Sequence, residues 1–343
     1  MAEAAAGDRA PHTLLLRQPQ VGRLLGALAF ASSQATRAGG AVLLYLSARV
    51  GPAVPYGMTR QPPVILAPHM PSPRPDRGEG ACAQDVQATG ALTEGLLCPA
   101  DLLPLQRVPL LVIVDGPGSA DFDLFDSPFG SPAVVLRSGA EEGGALGRTL
   151  EEAPAALQAS GDEERHATPA GRRRGGRVLT HFLVDPVVAF CALTGVTAVQ
   201  AGALEGLRGR VDSRMQALAR IFLEAEKQSD RERRADNDPR TSHWSLLLSG
   251  RAVRTLTARF LLCRAVLSRF APPGATPAAP ADLPSASPHI PSEIRDHAIL
   301  DGVVEELAAL PGVLWTLHAT PEDQSSRSST SNVNDDDASI TKL

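Results

Sequence analysis

The chain has 343 residues, 43% of them hydrophobic and 21% charged, with a formal net charge of -5 and a pI near 5.9. Such a chain can bury one sizeable core or two, and its charge argues against a chain-wide basic footprint for nucleic acid or an acidic membrane. The four cysteines, Cys82, Cys98, Cys191 and Cys263, form no Cys-x-x-Cys pair and are too sparse for a disulfide scaffold, which predicts a reducing compartment. Met1-Ala2-Glu3-Ala4 lacks the basic region of a signal peptide and no apolar run is long enough to span a bilayer, so the expectation is a soluble intracellular protein.

In chain order, Thr13 to Leu16 is a short β-like run. Pro19 stands at a plausible helix start, and Val21, Leu24, Leu25, Leu28 and Ala31 recur at helical spacing until Gly39-Gly40. Val42 to Ser47 reads as a buried strand, giving the strand, helix, strand order that builds a parallel sheet. From Pro52 to Gly95 the composition turns to Pro, Gly and charge without periodicity, which predicts a long surface excursion. A β-promoting chain resumes at Leu102.

Leu110 to Val114 shows no polar alternation, so it is expected to be a strand covered on both faces. Asp115-Gly116-Pro117-Gly118 then falls at its carboxyl end, where open α/β sheets bind ligands. The residues do not support that use. Asp121 stands where a dinucleotide fingerprint needs its third glycine, and no Gly-Lys-Ser/Thr follows. Pro117 occupies the place of the second aspartate of phosphoryl-transferring haloacid-dehalogenase-type enzymes, while Phe125 and Pro132 break a calcium-loop reading of Asp121, Asp123 and Asp126. Asp115 is therefore expected to be a strand-end turn or helix-capping residue. A small-ligand or nucleotide site on the Asp115 to Asp123 loop, in a degenerate enzyme, is the alternative.

Phe129-Gly130-Ser131-Pro132 predicts a turn into a third core strand, Ala133 to Leu136. Gly139 to Gly176 is low in complexity and reads as an insertion. It ends in Arg172-Arg173-Arg174 with Arg177, a candidate nuclear-import or nucleic-acid contact or a solvated basic loop beside Asp162-Glu163-Glu164. Leu179 to Leu183 is expected as a strand, and Asp185-Pro186 as a helix start with Gly195 as its stop. Leu204, Leu207, Val211, Met215, Leu218, Phe222 and Ala225 form the apolar stripe of the next helix, and Asp230 to Arg240 reads as a charged link. One amphipathic helix is expected from Leu246 through Val253, Leu256, Phe260, Cys263 and Leu267 to Phe270, stopped by Pro272-Pro273. Arg251, Arg254, Arg264 and Arg269 decorate its other sides, an ordinary solvated face or a basic stripe for phosphates or an acidic partner, with Arg251 and Arg254 as the candidate interaction residues. After a Pro/Ala connector from Ala271 to Pro291, Ser292 is expected to cap a last helix carrying Leu300 to Leu310. Val313 to Leu317 should return to the sheet, and the Ser/Asn/Asp tail beyond Thr320 cannot pack a core.

No catalytic constellation emerges. The eight histidines are dispersed, none at a metal-ligand spacing from another His or a Cys, and no Gly-x-Ser-x-Gly elbow occurs. His181 and His243, beside apolar segments, read as structural histidines rather than bases. The residues alone give an α/β fold with a mainly parallel sheet flanked by helices, a helix-rich C-terminal half and disordered insertions.

The order of motifs adds to this. Thr13-Leu14-Leu15-Leu16-Arg17-Gln18-Pro19, Val42 to Ala48, and Cys98-Pro99-Ala100-Asp101-Leu102-Leu103-Pro104-Leu105-Gln106-Arg107 running into Pro109 to Asp115 resemble the protein SCAI family (suppressor of cancer cell invasion), in its C-terminal half. Phe129 to Pro132, Asp185-Pro186 with Ala189-Phe190, Arg259 to Cys263 and Val304 to Ala308 continue the resemblance collinearly. The implied organisation is a disordered stretch over 1–11, a SCAI-like domain over 12–318 with insertions at 52–95 and 139–176 and a linker at 271–291, and a disordered tail over 319–343.

The resemblance implies a nuclear transcription cofactor, with a cytoplasmic pool, that lacks known catalysis and cofactors. It would repress a myocardin-related coactivator acting with serum response factor downstream of Rho and actin, and would have links to double-strand-break repair through protein contacts. It implies protein partners, with neither direct nucleic-acid nor membrane binding.

If Gly139 to Gly176 stays unpacked, as its low apolar content predicts, limited trypsin digestion should cut the intact chain first near Arg172 to Arg174. Arginines that resist trypsin there would place the cluster on a structured surface.

Overall fold

The computed structural model describes residues 13–16, 20–51, 64–66, 96–116, 118–139, 178–196, 201–235, 243–273, 277–280 and 282–318. Its centre is a four-stranded sheet in the order β1 (Val42–Ser47), β5 (Leu110–Asp115), β6 (Ala133–Arg137), β8 (Ser285–Ser287). The first three strands run parallel, with Val42 opposite Leu110 and Leu110 opposite Ala133, while β8 closes the β6 edge antiparallel. β5 is buried at every position, as its unbroken apolar run predicts. Because side chains alternate across a strand, Leu110, Val112 and Val114 enter one core and Leu111 and Ile113 the other.

The first core is small. Helix α1 (Val21–Ala38) sets Leu28 against it, closed by Gly39 in the left-handed region, and the 3-10 turn Pro99–Leu105 contributes Leu102 and Leu105. The second core is the larger and is roofed by helices: α2 (Val178–Val184), α3 (Pro186–Thr194), α4 (Ala201–Ala235), α5 (His243–Leu247), α6 (Arg251–Arg269), α7 (Ser292–Arg295) and α8 (Ala298–Ala308). Asp185 joins α2 to α3 as an N-cap, its Oδ1 accepting from Val187 N at 3.2 Å and Val188 N at 3.1 Å, and Gly195 ends α3 with φ 75°. Edge-to-face stacking of Phe190 on Phe270, with ring centroids 5.1 Å apart, links α3 to the end of α6. Arg269 on Asp301 at 2.9 Å, together with Arg210 and Arg214 on Glu306, ties α8 to α6 and α4.

Several expectations change. Thr13–Leu16 forms no strand, and Leu14 and Leu15 are exposed. β1 is an edge strand exposed at every second residue rather than a buried one. The excursion after Pro52 contains β3 (Val64–Leu66), which joins β2 (Arg49–Gly51) to β4 (Leu96–Leu97) in a small antiparallel sheet. At Leu102 the chain is a 3-10 turn rather than a strand, because Asp101 Oδ2 accepts the Cys98 backbone N–H at 2.8 Å and two prolines interrupt any ladder.

The stretch 179–183 belongs to helix α2: Val178, Leu179, Phe182 and Leu183 are buried at spacings of one, three and one, a helical face. α4 runs on through the expected charged link to Ala235, with Gln228–Glu232 and Asp230–Arg233 contacts one turn apart. Its stripe ends differently too, with Glu226 buried and Ala225 exposed. The expected single helix from Leu246 is two, broken at Ser249-Gly250, and Leu246 itself is exposed.

The Pro/Ala connector supplies β8, and Val313 to Leu317 gives only β9 (Thr316–Leu317), paired with β7 (Phe270–Ala271) away from the main sheet. Ser292 starts only the short α7, and the last long helix is capped by His297, whose Nδ1 accepts from Ile299 N at 3.1 Å. The low-complexity segment after Gly139 and the tail after Thr320 lie outside the described residues.

Phe260, 1% exposed, sits in the larger core. Phe260→Ala should cost about 3–5 kcal/mol in urea denaturation, and a loss below about 1 kcal/mol would contradict that packing.

Candidate interaction groove

Two clusters of polar side chains stand out. The first is at the carboxyl end of β5. Asp115 is buried, and its Oδ2 accepts from the Tyr45 hydroxyl at 3.1 Å and from Thr180 Oγ1. It thus clamps the edge strand β1 to helix α2 instead of turning the chain or capping a helix. Its Oδ1 is buried with no partner among the described residues. Burial, then the adjacent carboxylate, pushes the Tyr45 hydroxyl above its ordinary pKa.

The loop that follows is tied down. Gly118 has φ 73°, and a Cβ there would stand 2.3 Å from the Val50 carbonyl oxygen, so only glycine fits against β2. Asp123 accepts from Arg137 at 3.0 Å and from Ser287 Oγ at 3.2 Å, and Arg137 also donates to Ala120 O at 3.1 Å. Two of this loop's acids, Asp115 through Oδ2 and Asp123, are thus engaged by the protein itself.

The second cluster is a groove of about 550 Å³ between α4 and α6, lined by Asp212, Met215, Ala219, Arg220, Arg251, Arg254 and Arg259, among others. The helical period puts Asp212, Met215, Ala219 and Arg220 on one face of α4, and Arg251, Arg254 and Arg259 on one face of α6. Met215 and Ala219 are buried and form an apolar floor. Two of the arginines hold structure. Arg259 donates to the Leu183 and Val184 carbonyls at 2.8 and 2.7 Å, ending α2, and reaches Asp212 at 3.4 Å. Arg254 donates to the Leu248 and Ser249 carbonyls, both at 2.8 Å, just past α5. Arg220 and Arg251 are exposed, and their guanidiniums have no hydrogen bond or ion pair among the described residues.

Arg251 and Arg254 also occupy the first turn of α6, which holds no acid and whose N-cap, Gly250, offers no side chain. Cations there oppose the helix dipole, by about 0.3–1 kcal/mol each at exposed positions.

Of the residues singled out in the sequence, Arg251 and Arg254 line this groove, and Arg172, Arg173 and Arg174 lie outside the described residues. Arg220, Arg259 and Asp212 were not singled out as contacts, Arg259 entering only as part of a family motif. Their helical spacing was readable, but the pairing of the two helix faces was not. His181 and His243 are both exposed. Among the described residues no group of three His, Cys, Asp or Glu could hold a metal ion, and no helix is long and apolar enough to cross a membrane.

The fold and this groove define an α/β protein with a mainly parallel sheet, roofed on one side by helices that carry a basic cleft. The family model described as Protein SCAI matches residues 2–273. The chain belongs to the SCAI family. No curated protein and no solved structure matches it.

Removing a donor from the buried Asp115 carboxylate should be costly. Thr180→Val should lower stability by about 1–3 kcal/mol and Tyr45→Phe in the same direction, read by urea denaturation, whereas two unchanged midpoints would show that neither hydroxyl supports that carboxylate.

Proposed function

We propose that this chain is a non-catalytic protein-interaction module that works in the nucleus as a transcription corepressor. In this reading it restrains a myocardin-related coactivator acting with serum response factor downstream of Rho. The observation that carries the proposal is membership of the SCAI family over residues 2–273. The polar groups at the sheet's carboxyl edge agree with it: Asp123 is bound by Arg137 and Ser287, and Asp115 by Tyr45 and Thr180. The strand-end loop, where a ligand of the parallel sheet would sit, is thus built as a brace.

The test is expression of the full chain in cells carrying a serum-response reporter. The expected outcome is a lowered reporter output and co-precipitation of the coactivator with the chain from nuclear extract. Unchanged output with no coactivator recovered would overturn the proposal. So would a nucleotide or phosphosugar that raises the melting temperature of the purified chain, since a ligand that binds the folded state stabilises it by mass action, if Asp115→Asn abolishes the rise.

A further inference from the structure

The groove between α4 and α6 concentrates positive charge in a chain whose net charge is -5. Four guanidiniums line it against one carboxylate, and that carboxylate, Asp212, is shared with Arg259. Arg254 is satisfied by neutral carbonyls, so its charge is hydrogen-bonded without being cancelled. Arg220 and Arg251, one from each helix, have their full hydrogen-bonding capacity available among the described residues. A guanidinium presents a planar fork that matches a carboxylate in two parallel hydrogen bonds. Arg251 further stands at the positive end of the α6 dipole with no side-chain contact among the described residues, so fold stability alone does not favour it there, whereas an anion would gain from both the dipole and the guanidiniums.

The shape narrows the choice of anion. The floor is Met215 and Ala219, and a thioether adapts readily to an apolar side chain placed on it. A cleft of about 550 Å³ takes a few side chains. A nucleic-acid backbone instead needs a basic stripe over an extended surface, which this local groove is not.

We propose that this groove docks an acidic segment of a partner protein, with carboxylates held by Arg220 and Arg251 and an aliphatic side chain seated on Met215 and Ala219. The inference rests on the interaction-module reading above and names the chemistry of the partner.

The test uses the full chain and a fluorescein-labelled helical peptide of about three turns with Glu and Leu at alternating i, i+4 places, read by fluorescence anisotropy. The peptide should bind, lose affinity as salt is raised, and bind roughly tenfold or more weakly to the Arg220→Glu, Arg251→Glu double variant. That variant should melt no lower than the parent chain, because neither guanidinium holds a structural contact and a glutamate in the first turn of α6 suits the helix dipole. Arg23→Glu, on α1 across the sheet, should bind as the parent does. The proposal is overturned if a peptide with Gln in place of Glu binds equally well, if the double variant keeps full affinity, or if no binding is seen. It is also overturned if a DNA or RNA duplex or a phosphopeptide displaces the acidic peptide at much lower concentration. A double variant that loses the peptide yet still represses the reporter separates the two readings, leaving the corepressor role without this groove. Peptide binding with no repression leaves the groove and removes the corepressor role.

Discussion

The two-sided burial of β5 constrains the rest of the molecule. Leu110 to Val114 are almost wholly withdrawn from solvent, and each such aliphatic side chain contributes about 1.5–3 kcal/mol only while the cover on its own face is in place. The covers come from distant parts of the chain. Leu28 on α1 serves one face, and Phe182, Phe190 and Phe260 belong to the core on the other. The strand is therefore stable only after contacts across more than half the sequence have formed, which favours slow, cooperative folding over local assembly.

What was legible in the sequence follows from this. An unbroken run such as Leu110 to Val114 carries its own environment in its composition, and Asp185-Pro186 or Gly39 carry their backbone geometry in their chemistry. The runs misassigned were short. Val178 to Val184 is seven residues of mixed β-branched and apolar type, where strand and helix periods cannot be told apart by eye, although the inward set 178, 179, 182 and 183 is helical. Ser285 to Ser287 has no β signal at all and is a strand because the open edge of β6 lies beside it. The groove was half legible: Arg251 and Arg254 could be marked on one helix, but that Arg220 of another faces them is a tertiary fact.

Arginine has a divided role in the helical layer. Arg254 and Arg259 donate to carbonyls at helix ends, and Arg264 donates to the Pro284 carbonyl beside β8. Burial, then the nearby Arg295 guanidinium, lowers the pKa of Arg264. Arg254 and Arg259 take the place of the Gly and Asn caps that would otherwise end helices. A basic surface is thus partly a by-product of how the helices are terminated, and only guanidiniums with no such duty, as at Arg220 and Arg251, are left to recognise something else.

The antiparallel strand β8 and the helix α8 lie at residues 285–308, beyond the stretch 2–273 matched by the family model. The family boundary and the physical boundary of the fold therefore do not coincide. A fragment cut at residue 273 would keep every matched residue yet leave Val135, Leu136 and Arg137 with unpaired backbone groups along a mostly apolar strand. Such an edge pairs with its own kind, so the fragment's hazard would be self-association through the sheet rather than simple loss of structure.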